Sequence, residues 1–250
     1  MYPSKPFGAL LWLWAAAALA TPAAGDLARA ETVQDRLVQA WPAGERVAGY
    51  KSAFTQPAMQ QRFGLAAPAM AVLPASGERC AARAEPCVVE FTGYRQPVIE
   101  LEIALQLVAD IVEAPDSVMA LLPYISAVMP AIELPELALD TPAPATGLDY
   151  IASNIGTRAY LLGAPRLPIV LLQRSVTMRL RRGDAIVLEG DGNGAAEAAL
   201  QLIRDTLARG YPLRAGQILL SGAVAGMTPG VAGAYVAECG SLGNIEFTVR

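Results

Sequence analysis

Two glutamates interrupt a stretch that would otherwise be a plain buried strand: Val98-Ile99-Glu100-Leu101-Glu102-Ile103-Ala104-Leu105-Gln106-Leu107. Side chains on a β-strand alternate between faces, so Glu100 and Glu102 share one side of a sheet. Neighbouring buried carboxylates repel, and desolvation drives each toward the neutral acid unless a cation compensates. A hard divalent cation such as Mg2+ or Mn2+ compensates most simply, because it prefers oxygen ligands. Glu133, in Met129-Pro130-Ala131-Ile132-Glu133-Leu134-Pro135, is a further acid among apolar residues and a candidate third ligand. An edge strand with both glutamates facing water accounts for the same pattern, and the pattern alone leaves both readings open.

The rest of the composition narrows the chemistry. With 250 residues, 54% of them hydrophobic, and a net charge of -4, the chain describes one globular domain. There is no basic excess with which to neutralise phosphates, so nucleic acid is not an expected partner. The chain contains no histidine. That removes Ser-His-Asp and Cys-His arrangements and His-ligated zinc, leaving carboxylates, lysine, tyrosine or metal-bound water to move protons.

At the N-terminus, Lys5 precedes an apolar stretch from Phe7 to Ala20 and the small residues Thr21-Pro22-Ala23-Ala24-Gly25. This is the order of a secretory signal peptide over 1–25, cleaved after Gly25 or, alternatively, after Ala30, with a single domain over 26–250. A periplasmic or secreted protein is expected; an uncleaved leader serving as a membrane anchor is the competing reading, although the apolar core falls short of the roughly 20 residues that span a bilayer. In an oxidising compartment Cys80 and Cys87, seven residues apart, are expected to form a disulfide. Cys239 is then a buried thiol with no base to activate it.

Along the chain, Thr32 to Trp41 reads as an amphipathic helix with Val33, Leu37 and Val38 toward the core, stopped by Pro42. Pro57 to Gly64 reads as a short helix ended by its glycine. Asp116 or Ser117 is placed to cap a helix running to about Val128. Leu134 to Leu148 reads as an extended surface loop, and Gly194 to Arg209 as a helix closed by Gly210. Strands are expected over Pro168–Leu172, Ser175–Leu180, Ala185–Glu189, Gln217–Leu220, Tyr235–Glu238 and Ile245–Val249.

Four regions, the last made of two closing stretches, resemble in their order the 2-keto-4-pentenoate hydratases of the fumarylacetoacetate hydrolase superfamily. Val98 to Ala104 is similar to the family's metal-binding strand, Val47 to Gln60 to its lysine-bearing segment, and Ala131 to Pro135 to the segment with a third acidic ligand. Leu213 to Gly222 and Gly240 to Gly243 resemble its closing strands. The resemblance covers most of the chain from about Val33. It implies an α+β fold, a mixed and largely antiparallel β-roll with peripheral helices, and Mg2+ or Mn2+ held by Glu100, Glu102 and Glu133. It further implies a metal-dependent 2-keto acid lyase, with a homo-oligomer left open, working in aromatic catabolism on a small 2-keto acid whose enolate the cation stabilises. Lys51 would be the proton-transfer residue; beside a divalent cation its pKa is expected to fall. Asn154 and Arg158, in the segment from Asp149 to Gly163 that looks like the substrate-carboxylate region, and Ser221 would bind substrate.

Three departures stand out. Leu65 to Leu73 carries alanine where hydratases commonly place an acid, Ser153 stands where another acid is usual, and Glu189 to Gly194 lacks a histidine-proline pair. Together they keep a second class of function in play, an exported and catalytically degenerate protein of this fold that binds a small keto acid or carboxylate without turnover.

Overall fold

The run that carries the glutamates becomes β4, Val98–Leu107, and it alternates as a half-apolar strand must. Ile99, Leu101, Ile103, Leu105 and Leu107 enter the main hydrophobic core, whereas Ala104, on the parity of the two glutamates, belongs to a smaller apolar cluster on the opposite face. Every other element can be placed relative to this strand. The structure, a computed structural model, describes residues 23–80, 87–141, 144–168 and 176–250. The leader through Pro22 and Ile169–Leu172 of one expected strand lie outside the described residues.

Around β4 a seven-stranded sheet is ordered β2-β1-β9-β4-β5-β6, with β10 also pairing to β4. Its members are β1 Val47–Ala53, β2 Ala69–Pro74, β5 Ile125–Leu134, β6 Ala159–Leu162, β9 Ile218–Leu220 and β10 Met227–Pro229. The second sheet has five strands, β3-β12-β11-β7-β8: β3 Val88–Val89, β7 Thr177–Arg182, β8 Ala185–Asp191, β11 Gly233–Glu238 and β12 Asn244–Val249. Among these described strands the pairings are antiparallel except β1 with β9 and β3 with β12. This is the mixed, largely antiparallel α+β roll expected from the sequence. The helices are α1 Ala24–Gln39, α2 Pro57–Phe63, α3 Val118–Leu121, α4 Gly147–Ala152 and α5 Ala195–Ala208. α5 packs on β1, β2 and β9, and α1 lies against α4.

Close approach of two backbones fixes the strand that will carry Lys51. A side chain at Gly49 would place its Cβ 1.8 Å from the Ile218 carbonyl oxygen, so only glycine allows β1 to lie against β9 there.

Two expectations need correction. The helix expected to run to about Val128 stops at Leu121: Ser117 does cap it, accepting from the Ala120 N–H at 3.2 Å, but Leu122-Pro123-Tyr124 forms a short turn and β5 begins at Ile125. Proline cannot continue the helical hydrogen-bond ladder, and the residues that follow gain a full-length pairing with β4. In α1 the buried face is not Val33 and Leu37, which are exposed at 48% and 39%. It centres on Ala30 and Gln34. Gln34 is wholly buried because its amide is spent, donating to the Met70 carbonyl at 2.9 Å and accepting from Arg209 Nη1 at 2.7 Å. A polar anchor, invisible to hydrophobic periodicity, turned the helix.

Cys80 and Cys87 are joined in a disulfide with Cα atoms 5.6 Å apart. Cys239 is free and buried, and burial pushes its thiol up to about 12.

Candidate metal centre and active-site cleft

Strand register assembles the acids. In the β4–β5 ladder Glu100 stands directly opposite Glu133 and Glu102 opposite Ala131, so all three carboxylates leave the same face. Lys51 arrives from β1: it pairs with Leu220 of β9, which pairs with Ala104 of β4, two residues along from Glu102. One carboxylate oxygen from each of Glu100, Glu102 and Glu133 lies within 4.8 Å of the other two.

The cluster is nearly closed to solvent, with Lys51 2% and Glu102 and Glu133 each 1% exposed. Lys51 Nζ donates to Glu133 Oε1 at 2.5 Å and to the Ile155 carbonyl at 3.2 Å. The Gly222 N–H donates to Glu102 Oε2 at 3.0 Å. Glu102 Oε1 and Glu133 Oε2 are buried with no partner. An unsatisfied buried polar atom costs about 1–3 kcal/mol, and more when charged. With three carboxylates and one ammonium, the formal charge is -2. A divalent cation would cancel it and occupy the two orphaned oxygens, and a donor set made only of oxygen suits Mg2+ or Mn2+ rather than a thiophilic metal. The residues present therefore fit the group.

Titration behaviour follows from the same crowding. Burial first, and then the charge of Glu133, push Glu100 up to about 8, while Lys51 pulls the other way. Burial, Glu133 and Glu100 raise Glu102 well above the ordinary carboxylate range. Burial alone would lower Lys51, but Glu133, Glu100 and Glu102 together hold its ammonium above the usual value. The lowered lysine expected from the sequence assumed an adjacent cation; without one, the acids dominate.

This yields a pH prediction. Folded Glu100 keeps its proton to about 8 whereas an unfolded glutamate releases it near 4.5, so across that window the folded state binds more protons. The contribution of Glu100 to the stability of the metal-free protein is then fully present below about 4.5 and is lost as pH rises toward 8. Mn2+ should raise the melting temperature more at pH 8 than at pH 5, since a deprotonated cage binds cations more tightly. Equal shifts at both pH values would exclude Glu100 from the linkage.

The remaining sequence-predicted residues are placed differently. Asn154 is buried but not free: its Oδ1 accepts from the Val72 N–H at 2.8 Å and from Gln34 Nε2 at 3.0 Å, and its Nδ2 donates to the Val72 carbonyl at 2.8 Å. The structure uses it as a clasp between β2 and α1. Arg158 Nη1 donates to the Gly93 carbonyl at 2.6 Å and its guanidinium lies 4.7 Å from the Tyr94 ring centre, away from the cleft. Ser221 is buried in a polar recess beside the cluster with Ser52, Thr55 and Asn193, and its neighbour Gly222 serves Glu102.

Sequence reasoning missed the device that holds Lys51. Asn154, Ile155 and Gly156 adopt consecutive left-handed conformations, with φ of 56°, 52° and 60°. For β-branched Ile155 this is a strained state, of the kind held in place at functional sites. It points the Ile155 carbonyl at Lys51. At Gly156 a Cβ would stand 2.2 Å from the Glu136 carbonyl oxygen, so glycine is required. Glu136 in turn accepts from the N–H groups of Arg95, Gln96 and Ala138, which hold its carboxyl below the usual range despite burial. Asn and Gly at positions 154 and 156 are the signals that were available; Ile155 itself offers none.

No family model matches the chain. A 2-keto-4-pentenoate hydratase of Burkholderia vietnamiensis is 30% identical over 217 residues, covering 82% of this chain and 79% of that protein. The chain belongs to the 2-keto-4-pentenoate hydratase family. Among solved structures, the 4-oxalocrotonate decarboxylase of Pseudomonas putida G7, complexed with magnesium and adipate, shares the fold with a TM-score of 0.79 at 18% identity, over 90% of this chain and 86% of its own. A fumarylpyruvate hydrolase from Pseudomonas aeruginosa with Mn2+ and pyruvate matches with a TM-score of 0.59 at 12% identity, over 84% and 90% of the two chains. The fold is thus that of the fumarylacetoacetate hydrolase superfamily.

The wall of the cleft is largely apolar. The cleft opens beside Lys51 and Glu100 and is walled by Phe54, Met59, Phe63, Leu137, Tyr150 and Met227. Ser153 donates its hydroxyl to the Tyr150 carbonyl at 2.8 Å, closing the end of α4.

Proposed function

We propose that this hydratase-family chain adds water to a 2-hydroxydienoate, the enol form of a 2-keto acid with a conjugated double bond, in a reaction dependent on Mg2+ or Mn2+. The observation that carries the reading is the buried -2 cluster with two orphaned carboxylate oxygens at the floor of a cleft. Glu100, Glu102 and Glu133 would hold the cation. When bound, it supplies positive charge against the carboxylate and keto oxygens of the substrate and so favours the enolate. Lys51, oriented by Glu133 and the Ile155 carbonyl, is placed to pass a proton to and from the substrate carbon. Glu100 is the half-buried member that meets the cleft. Tyr150 has its proton engaged with the Leu137 carbonyl at 3.2 Å, and burial raises its pKa, so it positions instead of acting as a base.

The reading is tested with 2-hydroxypenta-2,4-dienoate. Loss of the dienoate absorbance should require Mg2+ or Mn2+, stop with EDTA and yield the hydrated keto acid; release of carbon dioxide or of two shorter acids would assign decarboxylation or carbon–carbon cleavage to the same site instead.

A second reading is favoured by one observation: beyond the cluster, the described residues lining the cleft bring no charged group to the chemistry, matching the missing acids of 65–73 and position 153. On this reading the protein binds a keto acid or carboxylate without turnover. Metal-dependent binding in calorimetry with no change in the ligand would establish it. Export is proposed with either reading, supported by the order of the leader and by the Cys80–Cys87 disulfide. A cut after Gly25 leaves α1 nearly whole, whereas one after Ala30 removes its first turns. Mature protein beginning near Asp26 is the expected mass.

A further inference from the structure

A polar recess lies at the end of the strand that carries Lys51. In the parallel ladder of β1 and β9 Lys51 pairs with Leu220, so Ser52 and Ser221 follow side by side, on the face opposite Lys51. Both residues are 4% exposed, and neither hydroxyl has a hydrogen-bond partner among the described residues. They line a cavity of about 350 Å3. The space exists because small residues border it, Gly192 and Gly194 in the turn before α5 and Ala195 and Ala198 in its first turns. Gly194 brings no capping side chain to α5. Two departures from the hydratase pattern meet here, since Pro68, within the stretch lacking an acid, and the turn lacking a histidine-proline pair both line the recess.

The lining argues for water as the occupant. Among the described residues around the recess Asp191 is the only charged one; it is exposed, and its Oδ1 accepts from Thr177 Oγ1 at 3.1 Å. No cation is there to hold an anion beside a cluster of charge -2. Hydroxyls and amides in a space of this size suit water, which needs two to four polar partners. The recess also meets the cleft, because Ser52, Thr55, Gln56 and Ala223 line both. Between them passes the turn through Gly222, whose N–H donates to Glu102 Oε2 at 3.0 Å. Gly222 has φ of +95°, and a Cβ there would stand 2.6 Å from Thr55 Cγ2, so glycine lets this turn join the recess to the cluster.

We propose that this recess holds the water that adds to the substrate, with Ser52 and Ser221 as its positioning residues. The inference rests on the hydratase reading and deepens it, by giving the water a place that the apolar wall of the cleft does not offer. Tautomerisation moves the enol proton of the dienoate to C5 and leaves a 2-oxo-3-enoate. The water oxygen then bonds to C4 as the C3–C4 π pair shifts toward the keto oxygen. The water gives up one proton through the serine hydroxyls to recess water, and C3 receives one from Lys51, which regains it from solvent. The sum is one H2O added, with neutral hydroxyls aiming the water by hydrogen bonds.

Hydration and enolate formation are read separately on the full mature protein with Mg2+ or Mn2+. Ser52→Ala and Ser221→Ala are each expected to lower kcat for hydration of 2-hydroxypenta-2,4-dienoate by about tenfold with KM little changed, and to release unhydrated 2-oxopent-3-enoate in place of part of the product. Stoichiometric Mn2+ binding and proton exchange at C3 of 2-oxopentanoate should stay as in wild type. Ser221→Thr keeps the hydroxyl and should restore kcat. A loss that threonine does not restore, or that comes with an equal loss of Mn2+ binding, would show a structural role and overturn the proposal. A crystal structure of the metal-free protein should show ordered water within hydrogen-bond distance of both serine hydroxyls; a dry recess would overturn it too. Wild-type protein that hydrates no dienoate sinks the hydratase reading and this inference with it. Hydration at equal rates by wild type and the double alanine variant sinks the inference alone.

Discussion

Lys51→Ala is expected to slow metal-dependent proton exchange at the carbon beside a bound 2-keto acid by about 10²–10⁴-fold, the usual contribution of a positioned general acid or base. The chain has no histidine, arginine stays protonated, and Tyr150 has its proton engaged. Lys51 is the cation buried within the cluster, and its two hydrogen-bond acceptors among the described residues, Glu133 Oε1 and the Ile155 carbonyl, aim it along the cluster floor. Removing it changes the formal charge of the cluster from -2 to -3, so Mn2+ should bind at least as well as before. That sign separates a proton-transfer role from a merely structural one, in which loss of the lysine would weaken metal binding along with exchange. Lys51→Arg should not restore exchange, because a guanidinium neither gives up its proton readily nor fits the compact space between Glu133 and Ile155. Exchange followed by NMR in heavy water reads the step whatever the later fate of the enolate. Equal rates in wild type and Lys51→Ala would remove Lys51 from the chemistry.

Glu102→Gln should abolish stoichiometric Mn2+ binding, a loss of about 100-fold or more in affinity, because a hard cation at an all-oxygen site depends on carboxylate charge more than on shape. The same change should stabilise the metal-free protein. Glu102 is held far above the ordinary carboxylate range by burial and by Glu133 and Glu100, and one of its oxygens has no partner, so a neutral amide of equal size relieves repulsion. The opposite signs make the prediction demanding: higher melting temperature without metal, and no further rise when Mn2+ is added. Glu133→Gln should lose Mn2+ as fully but without the gain in stability, since it also takes away the buried partner of Lys51. A Glu102→Gln protein with wild-type Mn2+ affinity would remove that residue from the cage.

How much of this was legible in advance varies with the kind of interaction involved. Parity is local: a strand turns successive side chains to opposite faces, so the spacing of Glu100 and Glu102 already put both on one side of a sheet. Helix ends are local too, and Gly64, Ser117 and Gly210 mark theirs correctly. The pairing that sets Glu100 opposite Glu133, 33 positions apart in the sequence, is not local. Family resemblance supplied that association, and the ladder supplied its geometry. Long-range polar bonds were out of reach altogether. Gln34, Asn154 and Arg209 look like surface residues by type, yet they form one buried chain from α5 through α1 to the backbone of Val72. That chain explains both the unexpected face of α1 and the use of Asn154 as a clasp.

The sequence by itself determined the half-apolar strand, the histidine-free chemistry and the kinship that made a carboxylate cage the expectation. The tertiary structure decided what each side chain is free to do, because hydrogen-bond partners far apart in the chain meet only once the sheet has closed. Thus Asn154 was consumed, Arg158 was turned away, and Ile155 was strained so that its carbonyl could hold Lys51 against the acids.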